Sequence, residues 1–356
     1  MEPVKKSVID TTLTRRDFLR AGIGGISAAL LMNDAGAQTN ARLSPEKAAV
    51  VEQLKKDMRG RPVCTDYAEV LKMLNNIDPM QVGRNIVFSN NWLDFVGTGK
   101  PLTKQQFEAW RDRIDRTYDS YVELIGRTPT YTEKVFIDIP PVYKRTTLAH
   151  AHSTGFCYNR NHSQLKTSLG HISNGSWDMV AMHELAHVFS RGPAWEIEPE
   201  SIVELFTSYA LENIPEARYG STSVQTTGTQ HRLRKYQTAL NSTKTTSAAF
   251  DANSKGAAAY DVYLLGLVDA VGWDAYRKAF RSYDDKNFKP NQYSNEGKGN
   301  VRNARDLFDR IEHFSGKPGV LRTLPDRGAL LDKHFNVQVI EQNLKPRVNI
   351  NEGIGR

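Results

Sequence analysis

His183-Glu184-Leu185-Ala186-His187 reads H-E-x-x-H, two histidines four residues apart around a glutamate. On a helix, positions i and i+4 lie on one face, about one turn apart. Two neutral imidazoles so placed can hold one Zn²⁺. The intervening Glu184 then stands where it can take a proton from a water that the metal activates. With nine histidines in 356 residues, chance seldom produces this spacing. The flanks suit a helix: Asn174-Gly175-Ser176 breaks the chain and supplies caps, and Asp178 in the first turn complements the dipole. Met179, Val180, Met182, Ala186 and Phe189 are its apolar residues, Arg191 falls in its last turn, and Gly192-Pro193 stops it. The alternative reading is a buried helix with two hydrogen-bonded histidines.

A catalytic zinc site needs a third protein ligand and an open position for water. Downstream runs Trp195-Glu196-Ile197-Glu198-Pro199-Glu200, followed by Ser201-Ile202-Val203-Glu204-Leu205-Phe206 and Tyr209. Pro199 suits the first position of a helix, so Glu200 and Glu204 share one face while Ile202, Val203, Leu205, Phe206 and Tyr209 pack. No further His or Cys lies near, which makes Glu200 the candidate third ligand. Glu204 then fits a supporting carboxylate that receives a ring N–H from a metal histidine. Glu196 and Glu198 are outside candidates, and a solvated helix face is the plain alternative for each glutamate. Tyr209, Tyr260, Tyr263 and His231 are candidates to stabilise an oxyanion, and the sequence does not choose among them.

The run from His183 to Phe189, a short linker with Trp195, and the stretch from Glu200 to Glu212 together resemble the enhancin-like, mucin-degrading zinc peptidases. Val271-Gly272-Trp273-Asp274 is similar to a helix near the end of that family's catalytic domain. The resemblance covers roughly residues 130–315. Two departures stand out: Ile197-Glu198-Pro199 replaces a run of small residues, and Glu204 stands where the family usually has Asn. The resemblance implies a zincin of the glutamate-ligand kind, with Zn²⁺ as cofactor and a protein, glycoprotein or cell-wall peptide as substrate. In such folds the edge strand of the sheet lines the cleft and pairs with an extended substrate.

The start of the chain reads as an address. Thr14-Arg15-Arg16-Asp17-Phe18-Leu19-Arg20 is close to the twin-arginine consensus. A mild apolar stretch from Ala21 to Met32 follows, then Ala35-Gly36-Ala37 as an A-x-A cleavage site. The expectation is a signal peptide over 1–37, export to the periplasm or beyond, and a helical arm over 38–80. The zincin-like domain then covers 81–345 and a tail 346–356. At 39% hydrophobic and 24% charged the composition is that of a globular protein. No stretch after the signal is long and apolar enough for a membrane span. The net charge of +7 suits anionic surroundings, but Lys and Arg are scattered, which argues against nucleic acid. Nothing in the sequence bears on oligomeric state. Cys64 and Cys157 can pair in an oxidising compartment or stay as buried thiols.

The fold expectation is α+β, a small mixed sheet packed on the HExxH helix, with a mainly helical C-terminal lobe. Ile86 to Phe88 and Val135 to Ile139 read as strands, and Asn90 to Gly99 as a loop. Thr103 to Ile125 reads as a helix ended by Gly126, and 146–173 as the rest of the sheet, with His150 and His152 alternating along a strand. Ser221 to Thr229 reads as loop. Helices are expected at Thr229 to Ser242, Gly256 to Val271, Trp273 to Tyr283 and Val301 to Phe314, with 284–300 as a surface loop. Two rival functions remain at this point. One is a zincin-fold protein that binds glycan or peptide without turnover, against which the intact Glu184 speaks. The other is an amidase acting on peptidoglycan stem peptides.

Overall fold

The computed structural model describes residues 78–99, 102–143, 145–191, 199–221, 224–245, 257–285 and 300–320, and the statements below concern these. A four-stranded mixed sheet runs in the order β1 (Ile86–Phe88), β2 (Val135–Asp138), β4 (Gly155–Tyr158), β3 (Ala149–Ala151). β1, β2 and β4 are parallel, and β3 turns back antiparallel along β4 as the edge strand, Ala151 opposite Phe156. β1, β2 and β4 are buried along their whole length. That matches their near-continuous apolar sequence, the mark of strands covered on both faces.

Eight α-helices are present among the described residues. They are α1 (Asn90–Gly99), α2 (Lys104–Ile125), α3 (Ser163–Ser173), α4 (Met179–Ser190), α5 (Pro199–Asn213), α6 (Gly228–Thr245), α7 (Ala257–Arg281) and α8 (Asn300–Ser315). α2 starts at a capping box, with Thr103 and Gln106 bonding each other's backbone, and ends at Gly126 with φ 82°. Its buried stripe of Phe107, Trp110, Ile114, Tyr118 and Tyr121 lies against the sheet and α4. The α4 helix packs on β3 and β4, and α5 packs on α4. The helices α6, α7 and α8 gather around α7, which also meets α5. This is an α+β architecture with a small mixed sheet and a helical C-terminal half. No described helix is long and apolar enough to cross a membrane.

Three expectations are corrected. Asn90 to Gly99 is a helix rather than a loop. Trp92 and Phe95, three apart, turn the same way into an aromatic cluster with Phe88, Trp110 and Tyr158. The two asparagines that resemble a turn serve tertiary bonds, Asn90 Oδ1 accepting from Gln81 and Asn91 Nδ2 donating to Asp138. The stretch 146–173 gives a hairpin of β3 and β4, and its last third is helix α3, begun by His162. Residues 219–226 form a second hairpin, β5 (Tyr219–Ser221) with β6 (Val224–Thr226), instead of a loop. By contrast, the break expected between Val271 and Trp273 is present inside α7, where Gly272 has φ 76°. Cys157 is disulfide-bonded, and the chain's other cysteine, Cys64, lies outside the described residues. So do residues 1–37, expected as a signal peptide, nearly all of 38–80, expected as an arm, the 346–356 tail, and Trp195, Glu196 and Glu198.

Candidate metal centre

The α4 helix is fixed at its first turn. Asp178 is its N-cap, one residue before the helix rather than inside it, and its Oδ1 accepts from the Val180 N–H at 3.0 Å. Its other oxygen accepts from Tyr158 Oη at 2.5 Å on β4 and from Trp110 Nε1 at 3.1 Å on α2. Burial pushes this carboxyl up, against the pull of those donors. Arg191 caps the far end in extended conformation and lies past the last turn. Between the caps Leu185, Ala186, Val188 and Phe189 are buried, leaving His183 and His187 on the face that lines a cleft of about 790 Å³. That is within the size range of ligand sites.

Pro199 opens α5 as expected, and Glu200 in its first turn reaches across to both histidines. His183 Nε2 lies 3.2 Å from His187 Nε2 and 3.2 Å from Glu200 Oε2, and His187 Nε2 lies 3.3 Å from Glu200 Oε1. Zinc bonds of about 2.0 Å in a tetrahedron require donors about 3.3 Å apart. The two ring nitrogens have that separation, one Glu200 oxygen stands against each of them, and one donor atom from each of the three residues lies within 4.8 Å of the others, a His-His-Glu group able to hold a metal. Hydrogen bonds from His183 and His187 hold the Glu200 carboxyl well below its ordinary range, against the effect of burial. For His183, burial favours the neutral ring, but the Glu200 bond and the charges of Glu184, Glu200 and Glu204 outweigh it and raise its affinity for a proton. A dication at the same place would satisfy the same surplus of negative charge.

Glu184 is buried and lines the cleft beside Ala151 of the edge strand. Burial raises its pKa, offset in part by His183 and His187. A base raised toward neutrality suits proton transfer.

Glu204 departs from expectation. It sits one turn beyond Glu200, yet its carboxylate receives Lys235 Nζ at 2.7 Å, and its other oxygen faces His231 Nε2 at 3.4 Å, longer than a good hydrogen bond. No ring N–H of His183 or His187 reaches it among the described hydrogen bonds. Burial pushes the Glu204 carboxyl up, but His231 and Lys235 prevail and hold it at about 2. His231 is itself buried, with Nδ1 2.9 Å from Tyr219 Oη, and does not line the cleft. Tyr209 is likewise away from the cleft: its ring packs edge-on to Trp273 and its hydroxyl lies 3.4 Å from Arg277. Burial pushes that phenol up to about 12. On the helix, the nine residues from Glu200 to Tyr209 amount to about 13 Å and a different face. None of Tyr209, His231, Tyr260 and Tyr263 lines the cleft, so none of them faces the metal group.

Residues that no motif signalled also line the cleft: Thr147 and Leu148 before the edge strand, Arg191 after α4, and Lys235 on α6.

A family model described as peptidase M60, enhancin and enhancin-like, matches residues 102–302. The chain belongs to this family. The match starts before the 130 suggested by the motifs and ends inside the last part of the resemblance, so it takes in α2, the sheet from β2 on, the His-His-Glu group and α7. No curated protein and no solved structure matches the chain. Membership makes the protein a metallopeptidase, with a protein substrate.

Proposed function

We propose that this enhancin-like peptidase is an exported, zinc-dependent enzyme that hydrolyses peptide bonds of a protein or glycoprotein. The observation that carries the reading is the equal spacing of His183, His187 and Glu200 at 3.2–3.3 Å beside a buried Glu184. The packing of α4 on β3 and β4 supports a zincin arrangement. His183 and His187 would hold Zn²⁺ through Nε2, and Glu200 through its carboxylate. When bound, zinc lowers the pKa of a water toward neutrality and polarises the scissile carbonyl.

The chain's own residues do the rest. Glu184 accepts the proton of the attacking water and returns it to the leaving amine. Burial in a narrow cleft keeps that carboxylate from being over-solvated and so keeps it basic. As oxyanion donor we put forward Tyr143, whose hydroxyl stands against cleft-lining Thr147, in place of Tyr209. Its hydroxyl is 3.3 Å from Thr147 Oγ1, burial raises its pKa, and it feels the charge of Glu184. A phenol that stays protonated is a donor for a developing oxyanion. The twin-arginine segment around Arg15 and Arg16 supports export.

The test compares purified wild type with Glu184→Gln, Glu200→Gln and His183→Ala, by metal analysis and by hydrolysis of a substrate the wild type cleaves. Wild type carries about one zinc per chain. Glu184→Gln keeps zinc and loses roughly two to four orders of magnitude in rate. Glu200→Gln and His183→Ala lose zinc. Full hydrolysis by Glu184→Gln would end the mechanism, and full zinc occupancy in His183→Ala would end the metal site.

A further inference from the structure

The two walls of the cleft differ in charge. On the α5 wall stand Glu200 and Glu204, the second already neutralised by Lys235. On the β3 wall the charged groups are Arg191, which lines the cleft, and Arg145, which stands against cleft-lining His150. Neither guanidinium has a carboxylate partner among the described residues. Arg145 Nη1 approaches His150 Nδ1 at 3.4 Å instead, and Arg191 Nη2 donates to Ala151 O at 3.0 Å. Burial, then Arg145 and Arg191, lower the pKa of His150, and burial, His150 and the same arginines lower that of His152 to about 4. The positive charge of this wall is carried by the arginines.

The edge strand itself explains why charge matters here. His152 N donates to Gly155 O and Asn159 N to Leu148 O, both at 2.8 Å, so His152, His150 and Leu148 bond inward to β4. Ala149 and Ala151 consequently turn their N–H and C=O outward to the cleft. At Ala151 the C=O is already taken by Arg191. A substrate strand laid on this edge therefore finds only part of the main-chain pairing open, and groups on the wall add to recognition.

We propose that Arg145, His150 and Arg191 form a subsite for an anionic group of the substrate, a carboxylate or sulfate, beside the bond to be cut. This rests on reading the cleft as that of a peptidase. The anion can belong to an acidic side chain of the peptide or to an acidic sugar attached to it, since both present the same oxygens to the same donors. Two guanidiniums without carboxylate partners on one wall favour such a group over a neutral one, and charge-assisted hydrogen bonds orient it.

The test uses zinc-loaded full-length protein carrying Glu184→Gln, so that bound peptide persists, and reads affinity by titration calorimetry. One pair of peptides differs only in Glu against Gln next to the scissile position. A second pair carries the same O-glycan with or without a terminal carboxylated sugar. The acidic member of at least one pair is expected to bind about ten- to a hundredfold more tightly. That ratio shrinks in about 0.5 M salt, where screening leaves only a few ångströms of reach. In the double variant Arg145→Gln with Arg191→Gln it falls toward one. Glutamine at 191 retains an N–H for Ala151 O, and an unaltered thermal midpoint shows that the fold is intact. The pair that discriminates identifies the source of the anion. Equal binding within both pairs overturns the subsite, as does a ratio that survives the double variant. If discrimination holds but wild-type enzyme cleaves none of the four peptides, the subsite stands and the peptidase reading fails.

Discussion

Replacing Lys235 by methionine separates the two roles open to Glu204. The lysine Nζ lies 2.7 Å from Glu204 Oε1, and 15% of the glutamate side chain is exposed. Burial pushes the Glu204 carboxyl up, yet His231 and Lys235 bring it down to about 2 from an ordinary 4.5. A carboxyl with a depressed folded-state pKa ionises more readily in the folded than in the unfolded chain. Its contribution is thus fully present above about pH 5 and is lost as pH falls through about 2. The gap of roughly 2.5 pH units corresponds to about 3 kcal/mol at neutral pH. Lys235 is 38% exposed, so solvent screens its share, which comes to about 1–2 kcal/mol. Lys235→Met is therefore expected to lose about 1–2 kcal/mol at pH 7 and at pH 5, and clearly less only as the pH falls through about 2, where Glu204 protonates in the folded protein. Urea unfolding followed by tryptophan fluorescence at pH 7, 5 and 2 measures this, with the two midpoints converging at the lowest pH. Equal destabilisation at pH 7 and pH 2 refutes an ionic origin and assigns the loss to packing of the lysine stem.

Tyr143→Phe is expected to lower kcat about a hundredfold while Tyr209→Phe stays within about threefold, since only the first phenol meets a residue of the cleft, Thr147. Steady-state kinetics on both variants decides it, and the reverse order would restore Tyr209. Glu204→Gln is expected to weaken zinc binding less than tenfold, below the range for a carboxylate that orients a metal histidine. Competition with a zinc chelator gives the value. Arg15→Lys together with Arg16→Lys is expected to leave precursor in the cytoplasm, visible on fractionation, and undiminished delivery outside it would count against the twin-arginine reading.

Local signals were read well where one or two residues decide the backbone. Thr103 with Gln106 and Gly126 mark both ends of α2, Pro199 starts α5, and Gly272 breaks α7 at the position its sequence suggests. The His-His-Glu group was legible because helix periodicity converts spacing into a shared face. Asn90 to Gly99 was misread because its polar residues look like turn formers until their partners, Gln81 and Asp138, are known. The 219–226 hairpin is short and polar and has no alternation to betray it. Glu204 was assigned to the metal because its partners come from α6, 27 and 31 residues later, and a helix alone does not reveal which neighbour faces it. Tyr209 failed for a related reason: an aromatic at helical spacing packs in the core more often than it lines a site, and Trp273 and Arg277 claim it.

Asp178 works as an indexing pin for the metal group. One carboxylate is tied at once to β4 through Tyr158, to α2 through Trp110 and to the start of α4 through Val180. His183 lies five residues beyond the pin and His187 nine, about 7 and 13 Å along a rigid helix. The height of both imidazoles above the sheet is therefore inherited from a buried contact among three layers. Zinc-finger peptides, by contrast, acquire their shape from the ion. Here protein contacts to Asp178, not the ion, fix the helix that carries the histidines, so binding a metal requires little ordering of the chain. Protein stripped by a chelator should accordingly keep its far-ultraviolet circular dichroism and take up one equivalent of zinc without a folding phase. If it unfolds instead, the pin does not set the site, and the metal does.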